Sequence, residues 1–305
     1  MCLWKWMLAG LAVAAVAAAV HPGMRQRGGL VGRKLLGQSD LSWVETTVRL
    51  APWRMQDRVR SVLGFTAPQW IQPLDYSMEL GDLPRRRYDI FLGPTPNIRR
   101  LDCHYSVLQS GKTPHPPHRH DEEEIVIPIH GEVDVIRVAA GDAERRQTDR
   151  AGPGQVIYHA SNQAHTIRAA GSGPSAYLVF RWVGSSREIG AVLASSIFDI
   201  RERLAADLAL AEDRDKTDIF ASQTSSLGRL ACHLTTVKPG AGSNPHRNRH
   251  DVALVVLRGS IETLNQTVNA PSVAFYPAHT LHSARNAGAS PAQYLAIEFH
   301  DRPRD

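Results

Sequence analysis

The chain has 305 residues, 43% of them hydrophobic and 21% charged, and a formal charge of +5. That length and apolar content suit two globular domains and exclude a wholly disordered or fibrous chain. The charge is uneven, with 14 Lys and Arg against 7 Asp and Glu in residues 1–100 and −2 over the rest; no aromatic-interleaved basic stripe or zinc-finger spacing occurs, so nucleic acid is not an expected partner.

Residues 1–34 read as a leader. An apolar run of fourteen residues, Met7 to Val20, suits a signal-peptide core better than a spanning helix, with Ala17-Ala18-Ala19 as a cleavage region. Arg25, Arg27, Arg33 and Lys34 follow it, and positive charge there opposes translocation. A cleaved signal, an uncleaved anchor and an over-extended start with Met24 as initiator all fit, so export or tethering and a cytoplasmic location stay open. Membrane contact through this segment is one expectation. Residues 35–88 form an extension with one helix expected around Glu45 to Leu63, packing across the next domain or making a homodimer contact.

Strands are then expected at short, regular spacing: Arg99 to Gln109, Ile125 to Ile129, Glu132 to Ala139, Gln155 to His159, His165 to Ala169 and Ser175 to Val183. Period-two alternation with turn signals reads as a small antiparallel barrel or sandwich. Between this unit and the next, Ile197, Ile200, Leu204, Leu208 and Ala211 recur at helical intervals and predict an amphipathic linker helix.

The signature recurs. Asp89-Ile90-Phe91, Arg100-Leu101, Cys103-His104 and Gly111 return at a constant offset as Asp218-Ile219-Phe220, Arg229-Leu230, Cys232-His233 and Gly240. After a one-residue deletion, Pro117-His118-Arg119 and Gly131 return as Pro245-His246-Arg247 and Gly259. So many positions in register predict a duplicated unit. Cys103 and Cys232 alternate with apolar residues on their strands and read as small core residues; three cysteines in all build no disulfide framework.

The chemistry concentrates in GKTPHPPHRHDEEEIVIPIHG, residues 111–131. On a strand, His118 and His120 present two imidazoles to one point, and Glu124 shares their parity. His165, after a glycine-rich turn, is the outlying fourth residue. Asp121, Glu122 and Glu123 read as turn carboxylates facing water. His115 is a candidate to support a ligand from behind or to face substrate, and Tyr158 and His159 either reach the cavity or belong to a strand.

This arrangement resembles the cupin superfamily. Its first motif, glycine, spacer, HxH, Glu, glycine, fits Gly111 to Gly131 with a spacer one residue too long. Its second motif fits at Gly154 and His165, while Ala160, Asn162 and Ala169 stand in its Pro, Gly and Asn places. In the second copy Pro277, His282 and Asn286 fit that motif with His279 in the glycine place, yet Asn248 and Val252 replace the second histidine and the glutamate.

The resemblance implies an all-β chain of two tandem cupin barrels (double-stranded β-helix or jelly roll), 89–184 and 218–305, joined by a helical linker over 185–217. It implies a complete first site, His118, His120, Glu124 and His165, holding one divalent transition metal. Glu124 would detach to act as base, with His115 as the other catalytic candidate. In the second copy His246 and His282 are the candidates for a second site, a poor one by themselves that His250 or Asn248 could complete. Spacing does not choose among Fe(II), Mn(II), Co(II), Ni(II), Cu(II) and Zn(II); an ion preferring six ligands keeps two positions open, which favours Fe(II) or Mn(II). The leading expectation is a dioxygenase acting on a small organic molecule. The alternatives are a non-redox isomerase, hydrolase or decarboxylase, and a non-catalytic binder of a small ligand or metal.

Overall fold

The structure, a computed structural model, describes residues 71–139, 146–184, 192–205 and 212–301. The expected leader, the helix around Glu45 to Leu63, and Leu208 and Ala211 of the linker lie outside these residues. No helix among the described residues is long and apolar enough to cross a membrane.

After a short strand β1 (Ile71–Pro73), the first barrel comprises β2 (Arg85–Gly93), β3 (Ile98–Leu108), β4 (Glu123–His130), β5 (Glu132–Val138), β6 (Arg146–Ala151), β7 (Gln155–His159), β8 (Ala164–Ala170) and β9 (Ser175–Gly184). Strand β10 (Ser196–Asp199) and a one-turn helix α1 (Arg201–Ala205) follow. The second barrel comprises β11 (Arg214–Ser222), β12 (Arg229–Val237), β13 (His246–Arg247), β14 (Asp251–Arg258), β15 (Ser260–Thr263), β16 (Gln266–Asn269), β17 (Ser272–Tyr276), β18 (Leu281–His282), β19 (Arg285–Asn286) and β20 (Ala292–His300). In each barrel a six-stranded antiparallel sheet faces a three-stranded one: β10-β7-β4-β9-β3-β2 over β6-β5-β8, and β1-β17-β14-β20-β12-β11 over β16-β15-β19. Val126, Val133, Val135, Ile157, Ile167 and Val179 fill the first interior, and Val252, Leu254, Ile261, Val268 and Tyr276 the second.

The barrels exchange strands reciprocally. β1 precedes the first barrel but pairs with β17 of the second, Ile71 opposite Ala274; β10 precedes the second barrel but pairs with β7 of the first, Ile197 opposite Ile157. One edge of each large sheet is thereby extended by a segment that leads into the other barrel. Ile197 therefore lies on a strand, not on the expected linker helix, which starts at Arg201. A run of apolar residues a few positions apart fits an edge strand followed by one helical turn as well as it fits one helix.

The large sheets are buried on both faces, which is why β3 reads as almost continuously buried from Leu101 to Leu108. One face lines the barrel interior. The other meets the second barrel, where Trp182 packs edge-on against Phe299 with ring centroids 5.2 Å apart, and Phe91 lies 5.6 Å from Phe275. Each such aromatic contributes roughly 2 to 3 kcal/mol by burial. Cys103 and Cys232 are free and buried, as small core residues are, and burial pushes both thiols up.

Two buried carboxylates lock the seam. Glu123, wholly buried, accepts hydrogen bonds from Tyr158 Oη at 2.8 Å and Trp182 Nε1 at 3.0 Å in its own barrel. From the second barrel it accepts Thr224 Oγ1 at 2.9 Å, Ser225 N at 3.1 Å, Ser225 Oγ at 2.9 Å and Ser226 Oγ. The expectation that Glu123 faces water is thus corrected: its strand turns it away from Glu122 and Glu124 into the seam, where six donors replace solvent. Asp251 holds the matching place in the second barrel, accepting from Ala278 N at 2.7 Å and reaching across to Thr95 Oγ1 and Asn97 N.

Burial outweighs those donors at Asp251 and raises its carboxyl to about 6. A carboxyl raised in the folded state keeps a proton that the unfolded chain has lost, so its contribution is complete below its unfolded value of about 3.9 and disappears as pH rises through 6. The unfolding free energy is expected to lose about 2 to 3 kcal/mol across that window from this group. Urea denaturation from pH ~4 to ~6.5 checks it: Asp251→Asn should flatten the slope, and an unchanged slope would contradict the assignment.

Candidate metal centre

β3, β9, β4 and β7 stand side by side with Asp102 opposite Arg181, Arg181 opposite Glu124, and Glu124 opposite His159. Directly opposed residues share one face of a sheet, so the register draws a row Asp102–Arg181–Glu124–His159 across the barrel interior. The histidines close over this row from the other wall. His118 and His165 form an antiparallel bridge, His118 N to His165 O at 3.2 Å and His165 N to His118 O at 3.1 Å. Asn162, in the motif's glycine place, adopts φ 61° and donates N–H to His120 O at 2.9 Å. His279 does the same in the second barrel at φ 68°, donating to Asn248 O at 2.7 Å. Asn and His are among the few side chains that enter the left-handed region readily, so the motif turn survives without its glycine. Gly131, by contrast, must be glycine: at φ 66° an added Cβ would meet Pro174 O at 2.8 Å.

Ligand atoms of His120, Glu124 and His165 lie within 4.8 Å of one another. His165 Nε2 is 3.5 Å from Glu124 Oε1, and His120 Nε2 is 3.9 Å from Glu124 Oε2. His118 stands wider, its ring centroid 5.2 Å from that of His120 and 6.1 Å from that of His165, on the solvent side. Two imidazoles are oriented by carbonyls that can only accept: His120 Nδ1 bonds Glu122 O at 2.9 Å and His165 Nδ1 bonds Gln163 O at 2.7 Å. Each Nδ1 therefore carries the proton, and each Nε2 turns toward Glu124 as a donor atom for a metal.

The residues fit a divalent first-row transition ion. Three imidazoles and a carboxylate are its donor chemistry, and the buried His120 Nε2 has no hydrogen-bond partner among the described residues. Burial favours the acid form of Glu124, but His165, His159 and His120 outweigh it and hold the carboxyl at about 2. Burial lowers His120, and lowers His165 too until the bond to Glu124 reverses the shift upward.

A cavity of ≈ 110 Å³ opens beside Glu124, His118 and His165. His104, Ser106, Tyr177 and three arginines, Arg85, Arg87 and Arg181, also line its wall. Buried Asp102 organises that wall: Arg87 Nη2 lies 2.9 Å from both of its oxygens, Arg181 Nη2 2.8 Å from Oδ2, and His104 Nδ1 3.1 Å from Oδ1. Burial opposes ionisation of Asp102, yet His104 and Arg87 hold it well below the usual carboxylate range. Burial lowers His104, so it is neutral at pH 7, with its proton on Nδ1 toward Asp102.

His115 lines the same cavity, its ring 4.1 Å from that of His118. His159 is on the site face, wholly buried and stacked on His165 at 3.9 Å, whereas Tyr158 points into the barrel seam. Asp102, His104 and Arg181 were not identified as a unit by sequence reasoning; the signal available was the Asp-x-His alternation on one strand, which does not reveal an arginine 79 residues away.

In the second barrel, His246 and His282 face each other on β13 and β18, ring centroids 4.5 Å apart. Asn248 Nδ2 lies 3.5 Å from His282 Nε2, and Val252, in the place of Glu124, brings no oxygen. Tyr276 stacks on His282 at 4.1 Å as His159 does on His165.

No protein-family model matches the sequence, and no curated protein matches it. Among solved structures, a cupin 2 conserved barrel domain protein from Leptotrichia buccalis superposes with a TM-score of 0.52 at 13% identity, over 73% of this chain and 92% of that one. A Pseudomonas aeruginosa protein described as glyoxylate-induced superposes at 0.56 and 12% identity, over 77% and 90%. A Bacillus subtilis oxalate decarboxylase with Mn(II) centres reaches 0.47 at 18%, over 72% and 74%. The first of these likenesses, with the chain's own two barrels, shows a cupin fold repeated in tandem.

Proposed function

We propose that the chain is a metal-dependent enzyme acting on a small organic anion, with oxygenase chemistry as its first reading. The observation that carries it is the composition of one small cavity, lined by three of the four ligand residues, His118, Glu124 and His165, and by three arginines and His104, which Asp102 holds from behind. Bound by His118, His120, Glu124 and His165, Fe(II) or Mn(II) would supply Lewis acidity and one-electron chemistry toward dioxygen.

The chain's own residues do the rest. Arg85, Arg87 and Arg181 outnumber the carboxylates of Asp102 and Glu124, so the cavity favours an anion such as a carboxylate. Arg181, fixed by Asp102, orients one end of that anion. His104, neutral with Nδ1–H on Asp102, presents Nε2 as the group that takes a proton; His115 stands beside His118 at the cavity mouth as a second proton carrier.

Asp102 raises the His104 pKa through its hydrogen bond and charge, against burial. Asp102→Asn is therefore expected to move the acid limb of the pH–rate profile to lower pH and to cut kcat by ~10²-fold or more; an unmoved limb would remove His104 from the mechanism. For the reaction class, turnover of a panel of small carboxylic, hydroxy and keto acids is measured with an oxygen electrode on Fe(II)- and Mn(II)-loaded protein. Oxygen consumed in step with substrate supports the oxygenase. Undiminished turnover under strict anaerobiosis, sustained by Zn(II), moves the site to the second reading: non-redox isomerase, hydrolase or decarboxylase chemistry. The His104–Asp102 pair favours that second reading, because it moves protons whatever the metal does.

A further inference from the structure

The second barrel has not simply lost its carboxylate. In the first barrel Glu124 on β4 stands opposite Arg181 on β9; in the second, Val252 on β14 stands opposite Glu298 on β20. The carboxylate has crossed to the neighbouring strand and occupies the place of the arginine. Around it lie three imidazoles absent from the HxH motif: His300 Nε2 at 3.0 Å and His250 Nε2 at 3.8 Å from Oε2, and His233 Nδ1 at 3.7 Å from Oε1.

His300 Nε2 is hydrogen-bonded to Glu298 Oε2 at 3.0 Å, while His250 and His233 stand beyond hydrogen-bond reach of the carboxylate. Ligand atoms ~2.1 Å from one ion stand roughly 3.0 to 3.5 Å apart, so a small inward shift of His250 brings the cluster to ion spacing. His250 Nε2 is buried, turned toward the carboxylate, and has no hydrogen-bond partner among the described residues. The His250 and His300 rings stack at 3.8 Å, bringing both nitrogens to the same oxygen, and the ligand atoms of His250, Glu298 and His300 lie within 4.8 Å of one another.

We infer that His250, Glu298 and His300 form a second divalent transition-metal site, displaced by one strand from the motif position, with His233 steadying the far carboxylate oxygen. Two imidazoles and one carboxylate leave open positions and take Zn(II), Co(II) or Fe(II). This site is independent of the first barrel's and of the motif pair His246 and His282.

The test is Co(II) titration of the full chain, followed by equilibrium dialysis and the visible d–d band. His120→Ala/His165→Ala is expected to bind one Co(II) per chain. Adding His250→Ala/His300→Ala should abolish that binding, and adding His246→Ala/His282→Ala instead should leave it. Glu298→Gln in the same background should weaken it at least tenfold and shift the band, which keeps the test decisive if the quadruple variant misfolds. No Co(II) in His120→Ala/His165→Ala, or binding lost with His246 and His282 but not with His250 and His300, would overturn the inference. Failure of the first site is read separately, as no Co(II) beyond one equivalent in the parent and none in His250→Ala/His300→Ala alone.

Discussion

Glu123→Ala is expected to lower the unfolding free energy by about 3 to 5 kcal/mol, among the largest single-residue effects in the chain. The carboxylate is wholly buried and takes six hydrogen bonds, three of its partner residues belonging to the other barrel. Truncation strands all six donors in a dry seam, and each unpartnered donor costs about 1 to 3 kcal/mol before relaxation. Glu123→Gln is expected to fail as well. Hydroxyls of Tyr158, Thr224, Ser225 and Ser226 can turn, but Ser225 N–H at Oε1 and Trp182 Nε1–H at Oε2 cannot. Whichever way an amide is placed, its NH₂ faces one fixed N–H. A loss of about 2 to 3 kcal/mol by urea denaturation is expected for the glutamine variant. Stability within ~0.5 kcal/mol of the parent would contradict the seam's role.

His165→Ala is expected to weaken metal binding by more than ~100-fold, since even residues that only orient ligands are worth about 10- to 100-fold. His165 is tied in four ways: bridged to His118, oriented by Gln163 O, stacked on His159 and 3.5 Å from Glu124. Its loss removes a donor atom and leaves the buried Glu124 carboxylate short of its nearest imidazole. His159→Phe keeps the stack without the polar ring and should cost no more than about tenfold. Affinity should also fall as pH drops, because the proton that Glu124 helps to hold on His165 must leave before a metal can bind. Competition titration with a chromophoric chelator at pH 6 and pH 8 reads all three. Equal affinities for the parent and His165→Ala would remove His165 from the ligand set.

The duplication, the strands and the meeting of His120, Glu124 and His165 were legible because each depends on local spacing or on repetition. The rest depends on register across strands, which no local window contains. Arg181 becomes part of the site only because β9 lies between β3 and β4, and Glu298 finds its histidines for the same reason. Glu123 stands in a run of four acidic residues, the usual look of a solvated turn, and four of its six donors come from 101 to 103 residues further on. One clue lay in the repeat: Thr95 and Thr224 hold matching places before the second strand of each barrel, and each meets the other barrel's acid, Asp251 or Glu123. Ile197 misled because an edge strand running straight into a one-turn helix imitates a single amphipathic period.

The most direct measurement is a crystal grown with Mn(II) or Zn(II) and recorded on both sides of that metal's absorption edge. An anomalous peak in the first barrel, bonded to His118, His120, Glu124 and His165 at about 2.0 to 2.2 Å, is the expected result. His118 should swing inward from its wider position to reach it. No peak in the first barrel at full metal loading, or one held without Glu124 and His165, would contradict the metal centre on which the proposed chemistry depends.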